Sequence, residues 1–155
     1  ICDLAFAGCE RLRSLEFESG SLLQRVGRGC FQGSGLERVR LPDGVVSVGG
    51  RAFCECRALR EVWLGESLRA LGAESASDDR ARGVFEGCAA LEEVQLPATL
   101  EALGPRCFAG SGLRAVAIPD GVVEVPREAF AECAALVSVA FGWGSRLTRI
   151  GPRAF

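Results

Sequence analysis

A phenylalanine recurs along this chain at intervals of 22 to 32 residues. Its seven copies are Phe6, Phe31, Phe53, Phe85, Phe108, Phe130 and Phe155. Each stands in a similar pattern, with a small residue usually before it, Cys or Ser often three residues after it, and then Leu-x-x-Val-x-Leu or a close variant. Such a short unit can bury its apolar residues only by stacking on its neighbours. The recurrence therefore predicts a repeat solenoid with one continuous core.

Each unit closes with a short segment that alternates in the manner of a β-strand. The segments are LRSLEF from Leu12, LERVRL from Leu36, LREVWL from Leu59, LEEVQL from Leu91, LRAVAI from Leu113 and LVSVAF from Leu136. Alternate residues of a strand point to opposite faces. We therefore expect Val39 and Leu41 to face the core, and Arg38 and Arg40 to face solvent. The prediction is six stacked parallel strands, joined by turns and short 3₁₀ segments, with little α-helix.

The order of residues in the unit resembles the BspA-like class of leucine-rich repeats. The matching stretches are VGGRAFCECRALREVWL from Val48, LGPRCFAGSGLRAVAIPDGV from Leu103 and IGPRAF from Ile150. The resemblance implies a leucine-rich-repeat solenoid, classed α/β, which forms a single array of about six and a half coils over residues 1–155. Both ends fall inside a repeat, so we expect a fragment of a longer chain.

Two features modify the regular array. Residues 73–83, with the polar sequence AESASDDRARG, are inserted between two coils. Such a loop is either tolerated slack or a contact loop. In addition, residues 30–65 align without gaps on residues 107–142, with 21 identities in 36 positions. A duplicated block of coils lengthens a binding surface without creating an active site.

Composition argues against several functional classes. The net charge is −2 and the isoelectric point is near 5.3, whereas nucleic-acid-binding proteins usually carry a basic face. No apolar run reaches the roughly 18 residues that cross a bilayer, so no membrane insertion is expected. The chain contains no histidine to serve as the base for a thiol or hydroxyl nucleophile. We therefore expect no catalytic residues, no cofactor and no small-molecule substrate.

The eight cysteines are the first candidates for chemistry. Four of them stand three residues after an anchoring phenylalanine, and Ser34 and Ser111 hold the same place in two other coils. Such periodic placement favours a structural role, with inward side chains that bond or pack locally. Adjacent coils would place these side chains parallel, which suits a disulfide poorly. We therefore predict mostly free, structural thiols, with a disulfide framework or metal binding as the alternatives.

Cys54-Glu-Cys56 is the one cluster that resembles half of a metal site. Zinc takes four ligands, usually from paired cysteines two to four residues apart, and no second pair or histidine completes this set. We therefore predict no metal site. Cys56 belongs to the periodic positions, and Cys54 is expected to be an exposed thiol.

The outward residues of the strand segments form the surface on which binding is predicted, called the strand face below. Its residue pairs, in chain order, are Ser14/Glu16, Arg38/Arg40, Glu61/Trp63, Glu93/Gln95, Ala115/Ala117 and Ser138/Ala140. Charges and a tryptophan occupy the first four pairs, and small residues occupy the last two. Tryptophan and arginine are enriched at interface hot spots. The predicted partner-binding residues are Arg38, Arg40, Glu61, Trp63, Glu93 and Gln95.

These observations predict a non-catalytic module that binds a protein partner through the strand face. The family resemblance implies a cell-surface or secreted adhesin, or alternatively a scaffold subunit docked in a larger intracellular assembly. A second alternative is a recognition domain within a larger enzyme.

Overall fold

The computed structural model describes residues 1–73 and 82–155. Within these ranges the named regular elements are short β-strands, separated by turns, and their order confirms the predicted solenoid. The strands are β1 (Ser14–Leu15), β2 (Arg25–Val26), β3 (Arg38–Arg40), β4 (Ser47–Val48), β5 (Glu61–Trp63), β6 (Ala70–Leu71), β7 (Ala102–Leu103), β8 (Ala115–Ile118), β9 (Glu124–Val125), β10 (Ser138–Phe141) and β11 (Arg149–Ile150). Most of the insertion predicted at 73–83 lies outside the described residues.

The strands form two parallel ladders along the array. The first ladder comes from the predicted strand segments and consists of the sheets β1–β3–β5 and β8–β10. The second consists of β2–β4–β6–β7 and β9–β11. Partners lie one coil apart, as in the pairing of Val39 with Val62 and of Val26 with Val48. The sequence indicated the second ladder only as a short apolar stretch, because its strands are two residues long.

The phenylalanines form one continuous column of stacked rings through the core. All six neighbouring pairs have ring centroids 5.2 to 5.4 Å apart, with interplanar angles of 4° to 13°. The five internal rings are buried, whereas Phe6 and Phe155 at the two ends are 37% and 49% exposed. Backbone hydrogen bonds between coils hold the spacing, as where the Phe31 N–H donates to the Ala52 carbonyl at 2.8 Å.

The predicted alternation holds in the second, third and fifth strand segments. Val39, Val62 and Val116 are buried, and the residues on either side of each are exposed. These valines line the same apolar core as the phenylalanine column. One face of the first ladder is therefore core and the other is free surface.

The prediction of a fourth strand over Leu91–Leu96 is wrong. In the described chain this segment forms no named strand: an isolated bridge joins Gln95 to Trp63 of the preceding coil, and the Arg114 N–H of the next coil donates to the Glu92 carbonyl at 3.1 Å. The first ladder is therefore interrupted there. Glutamate has a low strand propensity, and Glu92 and Glu93 follow Leu91 in this segment. Extending the register of the bridge would also set Glu93 beside Glu61, and like charges directly opposite each other destabilise a sheet.

The alternation also fails in the last strand segment. Phe141, expected to face the core, is 41% exposed, and Val139 is only partly buried. These residues are more exposed because β10 is the last strand of the first ladder and, within the described chain, pairs on one side only, with β8. Its inward residues therefore have one neighbouring coil to pack against, whereas those of β3 have two.

Candidate functional site

The six residues predicted to bind a partner lie together on the exposed strand face of three neighbouring coils. They are Arg38, Arg40, Glu61, Trp63, Glu93 and Gln95. In the β3–β5 pair Arg40 is opposite Trp63, and the isolated bridge joins Trp63 to Gln95. Arg38 is opposite Glu61 in the same pair. The register therefore arranges these side chains in rows across the coils, and their binding role stays a prediction.

Trp63 stands between two depressions of the strand face. Its side chain is 47% exposed, although it lies in the middle of the array. One depression, of about 750 Å³, extends toward the segment 92–96, and the other, of about 630 Å³, extends toward Arg40 and the turn at Pro97. Trp63, Gln95 and Leu96 line both. The indole therefore forms a ridge with accessible surface on both sides.

The interruption of the first ladder coincides with the larger depression. Val94 is half-buried, whereas the equivalent Val39, Val62 and Val116 are 1%, 6% and 4% exposed. Val62 and Val94 both line the depression. The fourth coil therefore leaves part of its apolar wall open, at the place where a regular strand would have closed it.

Beyond this depression, the outward side chains of the strand face are small, as predicted. Ala115 is opposite Ser138, and Ala117 is opposite Ala140, in the β8–β10 pair. These side chains are exposed and carry no charge. The charged and aromatic character of the strand face is therefore confined to its first four coils.

A second cluster, which the sequence did not predict, lies around the buried Glu86. Its side chain is 8% exposed and accepts hydrogen bonds from Arg106 Nε at 3.2 Å and Nη2 at 3.1 Å. The Gly83 N–H donates to it at 2.9 Å, and Arg82 Nε lies 3.2 Å away. Arg106 also pairs with Glu128. The cluster therefore connects residues 82 and 83 to Glu86, and Glu86 through Arg106 and Glu128 to the next two coils.

Part of this cluster did leave a signal in the sequence. Arg106 and Glu128 each stand two residues before an anchoring phenylalanine, so they occupy the same place in adjacent coils with opposite charge. Neighbouring residues of opposite charge across a ladder attract each other. Glu86 itself left no such signal, since it stands one residue after its phenylalanine and its partners come from other positions.

The electrostatics of Glu86 are set by competing effects. Burial alone would raise the pKa of this carboxyl, but the hydrogen bonds from Arg106 and Gly83 and the charges of Arg106 and Arg82 outweigh it. The pKa of Glu86 therefore lies below its ordinary value. In the same cluster, the hydrogen bond and charge of Glu86 raise the pKa of Arg106 despite partial burial. The cluster is a set of fixed charges that stabilises the fold at neutral pH.

Three of the four periodic cysteines, Cys56, Cys88 and Cys133, have the predicted inward position and are free, whereas the prediction is wrong for Cys9, which is exposed in the first coil. Cys56 Sγ donates to the Phe31 carbonyl at 3.1 Å and lies 3.3 Å from Ser34 Oγ. The same bond recurs from Cys88 to the Phe53 carbonyl and from Cys133 to the Phe108 carbonyl, both at 3.1 Å. Each thiol therefore satisfies a carbonyl of the preceding coil, a bond between coils that the sequence alone did not indicate.

The prediction that Cys54 is exposed is wrong. Its side chain is fully buried, and its Sγ lies 3.7 Å from Nη1 of Arg82. The strand alternation does not apply here, because the backbone turns through left-handed conformations at Arg51 and Glu55, with φ of 64° and 59°. Burial raises the pKa of Cys54 to about 11, although the charge of Arg82 opposes the shift. At neutral pH the thiol is therefore protonated and shielded.

Neither metal-binding geometry nor a membrane-crossing helix is found in the described part of the chain. No group of three or more His, Cys, Asp or Glu side chains within residues 1–73 and 82–155 could hold a metal ion. No helix of those same ranges is long and apolar enough to span a bilayer.

Comparison with known proteins identifies the repeat. The family model of the BspA type leucine rich repeat region matches residues 1–78 and 81–155, in six copies. A search of the curated proteins gives no match.

Three solved structures show what the chain is similar to. A leucine rich cell surface protein from Faecalibacterium prausnitzii is 32% identical over 69% of this chain and 26% of its own, with a TM-score of 0.59. The leucine-rich repeat protein of T. pallidum is 24% identical over 97% of this chain and 65% of its own, with a TM-score of 0.57. The pneumococcal vaccine antigen PcpA is 18% identical over 97% of this chain and 44% of its own, with a TM-score of 0.67. The chain thus spans between about a quarter and two thirds of these proteins.

Proposed function

Because the chain belongs to the BspA-type leucine-rich repeat family, we propose that it is a non-catalytic module that binds a protein partner through its strand face, as a surface adhesin does. Repeat solenoids offer an extended surface whose shape is set by the core and whose chemistry is set by the outward residues. The cell-surface description of the Faecalibacterium prausnitzii protein supports the adhesin role. That protein is much longer than this chain, so the role is proposed for the repeat array alone.

The exposed Trp63 is the observation that carries the proposal. Burying a large aromatic side chain in the middle of a strand face is energetically favourable, because it removes apolar surface from water. Trp63 is nevertheless 47% exposed, between two depressions. Arg40 lies opposite it in the ladder, and Gln95 flanks it on the other side. Tryptophan and arginine at the centre of an interface contribute most of its binding energy when a partner excludes water from them. The same residues would serve a scaffold subunit, which differs in the identity of the partner.

The test is affinity capture from an extract of the source organism and from the proteins of its surroundings. The bait is the wild-type chain, compared with Trp63→Ala and Arg40→Ala, with folding checked by circular dichroism. Trp143→Ala is the matched control, because Trp143 is fully exposed on the last coil, away from the six predicted residues. We expect both strand-face variants to lose the captured protein and the control to keep it. Capture that survives both substitutions would overturn the proposal.

A further inference from the structure

The larger depression beside Trp63 has a defined chemistry and is called the acidic groove below. Its residues are Arg60, Glu61, Val62, Trp63, Ala90, Glu92, Glu93, Val94, Gln95, Leu96 and Ala117, and its volume is about 750 Å³. Three carboxylates and one guanidinium are among them. The groove therefore carries an excess of negative charge beside an exposed aromatic ring.

The carboxylates of the acidic groove differ in how they are engaged. Glu92 forms an ion pair with Arg114 Nε at 3.1 Å. Glu61 and Glu93 each stand two residues before the bridged residues Trp63 and Gln95, so they come from adjacent coils. Both line the groove, so two like charges face the same depression and repel each other. A cation placed between them would relieve this repulsion.

The rest of the acidic groove suits the stem of a long side chain. Val62, Val94 and Leu96 line it, and Val62 and Leu96 are 6% and 9% exposed, whereas Val94 in the interrupted segment is half-buried. Trp63 forms one wall. Long cationic side chains bury their methylene stems against apolar surface and keep the charged head in a polar setting. A guanidinium also stacks on an indole and donates hydrogen bonds to carboxylates with defined geometry.

We propose that the acidic groove binds an arginine side chain from an extended segment of the partner protein. The stem lies over Val94 beside Trp63, and the guanidinium lies between Glu61 and Glu93. The charge of the groove selects a cation over an acidic or neutral side chain, and the planar head favours arginine over lysine. This inference rests on the proposed function, because it assigns the chemistry of the partner at the same surface.

The experiment uses the fluorescence of Trp63 in a Trp143→Phe background, where it is the only tryptophan. The probes are five-residue peptides, N-acetylated and C-amidated, with the sequence Gly-Ser-X-Ser-Gly and X as arginine, lysine, citrulline or glutamate. Citrulline keeps the shape of arginine without its charge. We expect a saturable change with arginine, a weaker one with lysine, and none with glutamate. An equal response to arginine and citrulline, or no response to arginine, would overturn the proposal.

Substitutions locate the bound charge. Glu61→Gln and Glu93→Gln should each weaken arginine-peptide binding by about two- to fivefold, as expected for partly exposed charge pairs, and the double variant should weaken it further. The matched control is Glu16→Gln, because Glu16 is exposed on the first strand segment and does not line the acidic groove. Unchanged binding in the double variant would overturn the assignment.

Partner capture separates this inference from the proposed function. If Trp63→Ala abolishes capture while Glu61→Gln/Glu93→Gln preserves it, the strand face binds the partner and the arginine assignment fails. If Trp63→Ala and Arg40→Ala both preserve capture, the proposed function fails, whatever the peptides do. If Trp63→Ala and Glu61→Gln/Glu93→Gln both abolish capture, and the fluorescence change is specific to the arginine peptide, the results support the proposed function and the arginine assignment.

Discussion

Removing one ring from the middle of the phenylalanine column should lower the free energy of unfolding more than removing one from its end. Phe53 is buried and stacks at 5.3 Å on both Phe31 and Phe85. Phe53→Ala removes the ring, leaves a cavity that the coils on either side cannot fill, and should lower the free energy of unfolding by about 3 to 5 kcal/mol.

Phe6→Ala is the matched comparison, because Phe6 occupies the same place in the first coil. Its ring is 37% exposed and stacks on Phe31 alone, at 5.2 Å. Full burial of such a side chain contributes about 1.5 to 3 kcal/mol, so the partly buried ring should contribute about 1 to 2 kcal/mol. The end of the column can also relax into solvent, so no closed cavity remains. The difference between the two variants should therefore be at least about 1 kcal/mol.

Urea unfolding followed by circular dichroism measures both values, with the slope of the transition as a check that the same surface is exposed in each. In a thermal scan, Phe53→Ala should lower the melting temperature by about 6 to 20 °C for a chain of this size. Equal losses for Phe53→Ala and Phe6→Ala would refute the reasoning. The rings would then contribute by their local contacts alone, and their place in a continuous column would not matter.

Three further predictions concern other parts of the fold. Glu86→Gln should lower the free energy of unfolding by about 1 to 3 kcal/mol at pH 7. Because the pKa of Glu86 is lowered from 4.5 on folding, the wild-type advantage should be present above about pH 4.5 and disappear as the pH falls through the folded value; a difference that is independent of pH would contradict this. A thiol reagent at pH 8 should label the exposed Cys2 and Cys9 quickly and the buried Cys54 slowly, and fast labelling of Cys54 in the native chain would contradict its burial. Glu93→Thr should raise the free energy of unfolding by up to about 1 kcal/mol, since threonine favours strands and removes one of two like charges; a loss of stability in denaturant unfolding would contradict the explanation for the broken ladder.

The parts of the fold that repeat could be predicted from the sequence. The spacing of the phenylalanines predicted stacked coils with one continuous core, because residues that recur once per coil lie beside one another when the coils stack. The alternation around Val39 and Val62 predicted which side chains of the first ladder are buried. The register of Arg40, Trp63 and Gln95 followed from the same alignment of coils.

The features that break the repeat could not be predicted in this way. The segment beginning at Leu91 matches the strand pattern, but its charges have to be compared with those of the neighbouring coil before the interruption becomes visible. Cys54 lies in a turn, where burial depends on backbone conformation at Arg51 and Glu55 instead of on alternation. In the cluster around Glu86, Arg106 and Glu128 share a place in the repeat, but Glu86 and Arg82 do not, so no periodic signal marks the carboxylate at its centre.

The internal duplication separates what the fold requires from what the surface can vary. Between residues 30–65 and 107–142, the inward residues keep their character, as where Val39 corresponds to Val116 and Leu41 to Ile118. The outward strand residues all differ. Arg38, Arg40, Glu61 and Trp63 in the first block correspond to Ala115, Ala117, Ser138 and Ala140 in the second. The two blocks form the same coils with the same ring spacing, so the exposed tryptophan and charges are not needed to build them. The binding site proposed above therefore consists of residues that the fold does not need, gathered beside a gap in its ladder.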